Sequence, residues 1–198
     1  VGSEMCIRDA VWLPAATMVA TITWQTATPG GRFEGPCYGD GAAYNGNDDI
    51  MSRAGWGVVQ IVAEGPSGGR IRLVGEAHGP LPGFAQVVPA SEAMAFLMFL
   101  RHAGTPPCMF FSDCQWVIDC YTKGIENCTG CQHVHADIWR AIWAHIGDIG
   151  TGNLTVTKVK GHTTIGDVEA GKVRAVDRIA NELADAAAKR GAKCQPCD

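Results

Sequence analysis

An α/β fold is predicted by three features of the pattern. Strand-like segments joined by Gly- and Pro-containing turns fill residues 33–79, which points to an antiparallel meander. From residue 89 the apolar spacing changes from period two to helical. Beyond that point two further strands are interleaved with helices, so the sheet is mixed and helices pack on it.

Each element has its own local reason. FEGPCYGDGA (33–42) reads as a strand running into a Gly-rich turn at Asp40. YNGNDDIMSR has loop chemistry. AGWGVVQIVAE is a strand, and GPSGG turns it into RIRLVGEAHG, where Ile71 and Leu73 alternate with Arg70 and Arg72. PASEAMAFLMFLRHAG has Pro near its start, Gly at its end and Ala93, Phe96, Leu97 and Leu100 at helical spacing. CMFFSD is a short apolar strand of the buried type. QWVIDCYTKG is a short helix stopped by Gly124, and IENCTGCQH is loop. ADIWRAIWAHIGDI is an amphipathic helix with Ile138, Ile142 and Ile146 on one stripe. NLTVTKVKG alternates as a strand, HTTIGDVEAGK reads as loop, and RAVDRIANELADAAAKRGA is a long Ala-rich helix.

The chain of 198 residues therefore holds one domain, assigned to 33–192, with 10–32 as lead-in or linker and 193–198 as tail. Residues 1–9, VGSEMCIRD, read as the translation of a sequencing-library adapter and are set aside. No apolar run reaches membrane-spanning length, and no membrane partner is expected. The net charge of -4 excludes a polycation that grips nucleic acid by charge alone. Yet half of the 16 Lys and Arg lie beyond residue 157: Lys158, Lys160, Lys172, Arg174, Arg178, Lys189, Arg190 and Lys193. They form either a solvated helix face or a phosphate-contacting edge. Nine irregularly spaced Cys, several in apolar contexts, fit reduced thiols in an intracellular protein better than a disulfide framework.

Four carboxylates carry the chemistry: Asp40, Glu92, Asp113 and Asp185. Each sits where its own segment predicts burial. A lone buried carboxylate is costly. Several converging on one spot make sense when divalent cations neutralise them. Asp40 and Asp113 lie at or near strand ends, Glu92 is placed in a first helical turn, and Asp185 lies mid-helix beside Ala184 and Ala188, small enough for close approach to a sheet.

These segments resemble the type 1 ribonuclease H family over about Phe33 to Ala192. GDGA resembles its first-strand motif, VPASEAMA its Glu-bearing helix, FFSDCQWV its second Asp motif, KVKGHTT its His-bearing loop and ANELADAAAK its last helix. The resemblance implies an RNase H-like, five-stranded mixed sheet with helices on both faces. It implies an endonuclease that cuts the RNA strand of RNA–DNA hybrids, leaving a 5′-phosphate, with two Mg²⁺ ions (Mn²⁺ as alternative) held by Asp40, Glu92, Asp113 and Asp185. His162 would move a proton or help product leave. Contacts to 2′-hydroxyls are expected from Gln115, from the Asn45–Asn47 loop and from Gln86. The chain departs from the family before Glu92, where VPAS replaces a substrate-contacting stretch, and in lacking the basic handle helix. A neighbouring reverse-transcriptase domain, in a retroelement polyprotein, would supply the missing grip. A monomer is expected. The competing function class is a catalytically silent binding or connection module of the same fold. Asp40-Gly41-Ala42 also departs from the Asp-x-Glu of proofreading exonucleases.

The tryptophans and cysteines have plainer readings. Trp56, Trp116, Trp139 and Trp143 are taken as packing residues rather than base-stacking ones. Cys128 and Cys131 with His133 and His135, or with Cys194 and Cys197, have zinc-like spacing, but incidental loop thiols are the preferred reading.

Overall fold

A computed structural model describes residues 20–46, 51–64, 70–83 and 85–196. The adapter-like segment, Asn47 and Cys197 lie outside them. A six-stranded mixed sheet forms the centre. Its strands are β1 (Thr23–Thr26), β2 (Pro36–Tyr44), β3 (Arg53–Glu64), β4 (Arg70–Pro80), β5 (Cys108–Ser112) and β6 (Leu154–Lys158), in the order β1-β4-β3-β2-β5-β6. The β2–β3–β4 meander and β1 are antiparallel, whereas β5 and β6 add on in parallel.

Period-two alternation divides the core between the two faces. One face presents Trp56, Val58, Ala77 and Phe110 to α1 (Val88–Arg101), α2 (Gln115–Lys123) and α3 (Ala136–Ile149). The other presents Tyr38, Val59, Ile61 and Phe111 to Ala180, Ala184 and Ala187 of α5 (Ala175–Lys193). Helices thus cover both faces, as expected. Trp56 and Trp139 are fully buried, and Trp116 and Trp143 pack against the same core.

Two helices sit unusually close to the sheet, and glycine is the reason. At Gly55 and Gly57 of β3, an added Cβ would overlap backbone atoms of Ala192 and Ala188 in α5. At Gly191 of α5 it would meet the backbone of Gly79 and Trp56. At Gly41 of β2 it would overlap Ser91 and the amide of Glu92 in α1.

The structure corrects several expectations. The sheet has six strands, not five, because Thr23–Thr26 of the supposed linker pairs with β4. This edge strand alternates exposed and half-buried residues, so it carries no apolar run to announce it. Asp40 does not sit in a turn: β2 continues to Tyr44, paired with β3 along its length from Cys37. The supposed loop after His162 contains a short helix, α4 (Ile165–Glu169). Thr164 and Asp167 cap it reciprocally, and these bonds pull the Asp167 carboxyl down to about 2. Residues of the supposed tail also join the fold. Lys193 ends α5, and Gln195 is buried, its Nε2 donating to Ala54 O, Leu81 O and Gln86 Oε1.

Candidate metal centre

Strand register brings the first two carboxylates together. In the parallel β2–β5 pair, Gly39 lies opposite Ser112. The next residue on each strand is Asp40 and Asp113, side by side where β5 ends. Glu92 arrives from α1, which the absence of a side chain at Gly41 lets down onto β2. Glu92 is the fifth residue of α1, just past the expected first turn, so the helix N-terminus does little to stabilise its charge.

Asp40, Glu92 and Asp113 each offer an oxygen within 4.8 Å of the others; among the described residues this is the one such cluster of potential ligands. Asp40 and Glu92 are buried and Asp113 half-buried. Burial, followed by the charge of Asp113, raises the Asp40 carboxyl to about 7. Burial and then the charge of Asp40 push Glu92 well above its ordinary value. One Asp40 oxygen accepts from the Gly41 amide at 2.7 Å. Glu92 Oε2 is buried without any hydrogen-bond partner. A set of carboxylates this crowded, with one oxygen unpaired, has the donor chemistry of a divalent-cation site.

The fourth carboxylate stands apart. Asp185 of α5 lines a cleft of about 230 Å³ with Asp40, His162, Thr163, Arg178, Asn181 and Glu182. It is not a member of the tight cluster. Its Oδ2 accepts from Lys189 Nζ at 2.7 Å, and its side chain is 35% exposed. His162 reaches the same cleft from an exposed loop, with a left-handed φ of 49°.

Asn181 is a site residue that the sequence reading does not include. It lies one helical turn before Asp185 and is 7% exposed. Its Nδ2 donates to Asp113 Oδ2 at 3.0 Å, while its Oδ1 has no partner. Lys158 Nζ donates to the Asp113 backbone carbonyl, and Gly161 leaves room against the Asp113 carboxylate. The Asn-Glu pair ahead of LADAAAK is the available signal for Asn181, since an amide at helical spacing before a site carboxylate shares its face.

The expected substrate contacts divide. Gln115 is exposed at the start of α2, two residues from Asp113, and donates to Asp119 Oδ1 at 2.8 Å. Asn45 is exposed at the end of β2, on a hollow of about 410 Å³ shared with Tyr44 and Lys193. Gln86 is corrected. It is buried, its Oε1 accepts from Ala54 N and Gln195 Nε2, and its Nε2 donates to the carbonyls of Leu81 and Gly83. With every donor and acceptor engaged, it is an internal clasp and not a substrate contact. Among the described residues, Cys128, Cys131, His133 and His135 do not gather into a ligand cluster. Cys128 is buried with its Sγ accepting from Trp143 Nε1 at 3.1 Å, whereas Cys131 is exposed.

No protein-family model matches the sequence, and no curated protein matches it. Solved structures do. The protease–reverse transcriptase of prototype foamy virus superposes with a TM-score of 0.62 at 20% identity, over 88% of this chain and 23% of that one. LC9-RNase H1, a type 1 RNase H with the type 2 active-site motif, gives 0.59 at 16% identity, over 82% and 74%. The separate RNase H domain of the foamy virus gives 0.55 at 21% identity, over 82% and 96%. The chain has the ribonuclease H fold, and it spans less than a quarter of the foamy virus protease–reverse transcriptase.

Proposed function

We propose that this RNase H-fold chain is a metal-dependent endonuclease that cuts the RNA strand of RNA–DNA hybrids. One observation carries the reading: Asp40, Glu92 and Asp113 crowd within 4.8 Å while Glu92 Oε2 stays buried and unpaired. Like charges at that separation are unfavourable in a buried site unless protons or cations intervene. A module that only binds or connects has no need of such an arrangement, which favours the nuclease over the silent domain.

Asp40, Glu92 and Asp113 would hold divalent ions, Mg²⁺ by preference, with Asp185 contributing from across the cleft. Bound there, such ions supply Lewis acidity toward a phosphodiester and neutralise the carboxylates. The protein's own groups do the rest. Asn181 orients the Asp113 carboxylate, and Lys158 holds the Asp113 backbone carbonyl. His162, which lines the same cleft as Asp185, would shuttle a proton or help the product leave. Gln115 and Asn45, both exposed, would contact 2′-hydroxyls. The foamy virus relative is a protease–reverse transcriptase, so an adjoining reverse-transcriptase domain is part of the same proposal.

The test is a cleavage assay with each strand of an RNA–DNA hybrid labelled in turn, with and without Mg²⁺. RNA-only, Mg²⁺-dependent cutting that disappears in Asp40→Asn is expected. Equal cutting of a DNA–DNA duplex would remove the hybrid specificity.

A further inference from the structure

Seven of the eight cations beyond residue 157 fall into two groups. On α5, Arg178 pairs with Glu182, Lys189 with Asp185 and Arg190 with buried Glu76. These serve the helix and its packing. Ahead of the helix Arg174 is paired in the same way, with Asp177, whereas Lys158, Lys160 and Lys172 are less fully matched. Lys158, Lys160, Lys172 and Arg174 line one open hollow of about 700 Å³ between the end of β6 and the start of α5. Its one acidic lining residue, Asp177, is already engaged: it accepts from Arg174 at 2.7 Å and 2.6 Å and from the Tyr38 hydroxyl at 2.7 Å. Lys160 has a single weak partner, Asp167 at 3.3 Å. Lys172 has no ion-pair partner among the described residues. All four cations are exposed.

We propose that this hollow is a nucleic-acid docking groove that takes successive phosphates of one strand and feeds it toward the carboxylate cleft. The inference rests on the nuclease reading for its partner, and on geometry for its place. Gly161 is the link: it lines the hollow and also abuts the Asp113 carboxylate. A strand lying in this hollow would therefore come up against the Asp113 side of the carboxylate cluster. Three lysines in one hollow, beside an arginine already paired with Asp177, make a local field of the sign a phosphodiester backbone needs in a chain of net charge -4. The groove gives a chain without a basic handle helix a grip of its own.

The test measures binding of a fluorescent RNA–DNA hybrid by anisotropy across a KCl series, in the full chain carrying Asp40→Asn so that no cutting intervenes. Lys160→Ala with Lys172→Ala should weaken binding about tenfold at low salt. It should also reduce the slope of log affinity against log salt by about 1.8, at roughly 0.9 for each phosphate no longer neutralised. Arg70→Ala with Arg72→Ala, the same charge change on distant β4, should leave both unchanged. An unchanged slope in the lysine pair overturns the groove, as does an equal loss in the β4 control. So does an Asp40→Asn chain that binds neither hybrid, duplex nor single strand. Cleavage, read separately without Asp40→Asn, tells the two readings apart. Lysine-dependent binding without cutting keeps the groove and removes the nuclease. Cutting with lysine-independent binding does the reverse.

Discussion

Two helices bring a carboxylate to this centre from opposite faces of the sheet, and they do so on different terms. Glu92 on α1 is 6% exposed, has an oxygen with no partner and is pushed strongly toward its protonated form. Asp185 on α5 is one-third exposed and already neutralised by Lys189, whose ammonium is raised chiefly by that hydrogen bond. In the proposed metal site the first would be a dry, committed ligand, its charge tolerable only with a cation beside it. The second would be a wet one that has an alternative partner. On the proposed function, metal affinity would depend mainly on the α1 side and exchange on the α5 side.

The largest effect should come from breaking the dry side. Glu92→Gln should lower hybrid cleavage by about a thousandfold, since several kcal/mol of charge stabilisation is lost. The same variant should melt higher in EDTA at pH 8, by roughly 2–4 °C for about 1 kcal/mol of relieved repulsion. Loss of activity together with a lower metal-free melting temperature would contradict the picture of an uncompensated buried charge.

Asp185→Asn should cost less, about 10–100-fold. Raised Mg²⁺ should recover much of that activity, whereas Glu92→Gln should not respond. Equal defects and equal Mg²⁺ responses would erase the distinction between the two helices.

The pH dependence sharpens the comparison further. Asp40 is raised from 3.8 to about 7 in the folded protein, so between those values the folded state holds a proton that the unfolded state has released. Its stabilising contribution is therefore present at acid pH and lost as pH rises toward 7. Compared with Asp40→Asn, the metal-free wild type should lose about 2–4 kcal/mol over that window, measured by urea unfolding. Saturating Mg²⁺ should abolish the difference. Parallel pH profiles for the two proteins would show that the cluster is not coupled to protons.

The smallest effect on activity belongs to the clasp at Gln86. Gln195→Ala removes bonds to Leu81 O, Ala54 O and Gln86 Oε1. It should cost about 1–2 kcal/mol of stability and leave cleavage at 25 °C unchanged. A selective rise in KM for hybrid would restore Gln86 as a substrate contact.

How much is legible in the sequence follows from how locally each feature is encoded. Asp40, Glu92 and Asp113 stand out because a carboxylate inside an apolar strand or helix contradicts its own neighbourhood, and three such contradictions call for one cause. The depth of Glu92 in α1 is harder to read, because Pro89 marks a helix start only to within a residue or two. β1 is silent because an edge strand needs no apolar run. The Thr164–Asp167 cap is visible in principle, as a Thr followed three residues later by an acid. Gln86 misleads because its role depends on Gln195, 109 residues away, and polarity alone suggests a surface. Asn181 is hidden by its own carboxylate neighbours.

The glycine seam between β3 and α5 has a consequence for the width of the cleft. Gly55, Gly57 and Gly191 let two backbones rest on one another, so the seam acts as a spacer of fixed thickness. One methyl group at Gly57 would lift the helix and carry Asp185 away from Asp40 while every carboxylate stayed in the chain. The separation between the dry and wet halves of the centre is thus set by atoms that are missing, at positions no substrate would ever touch.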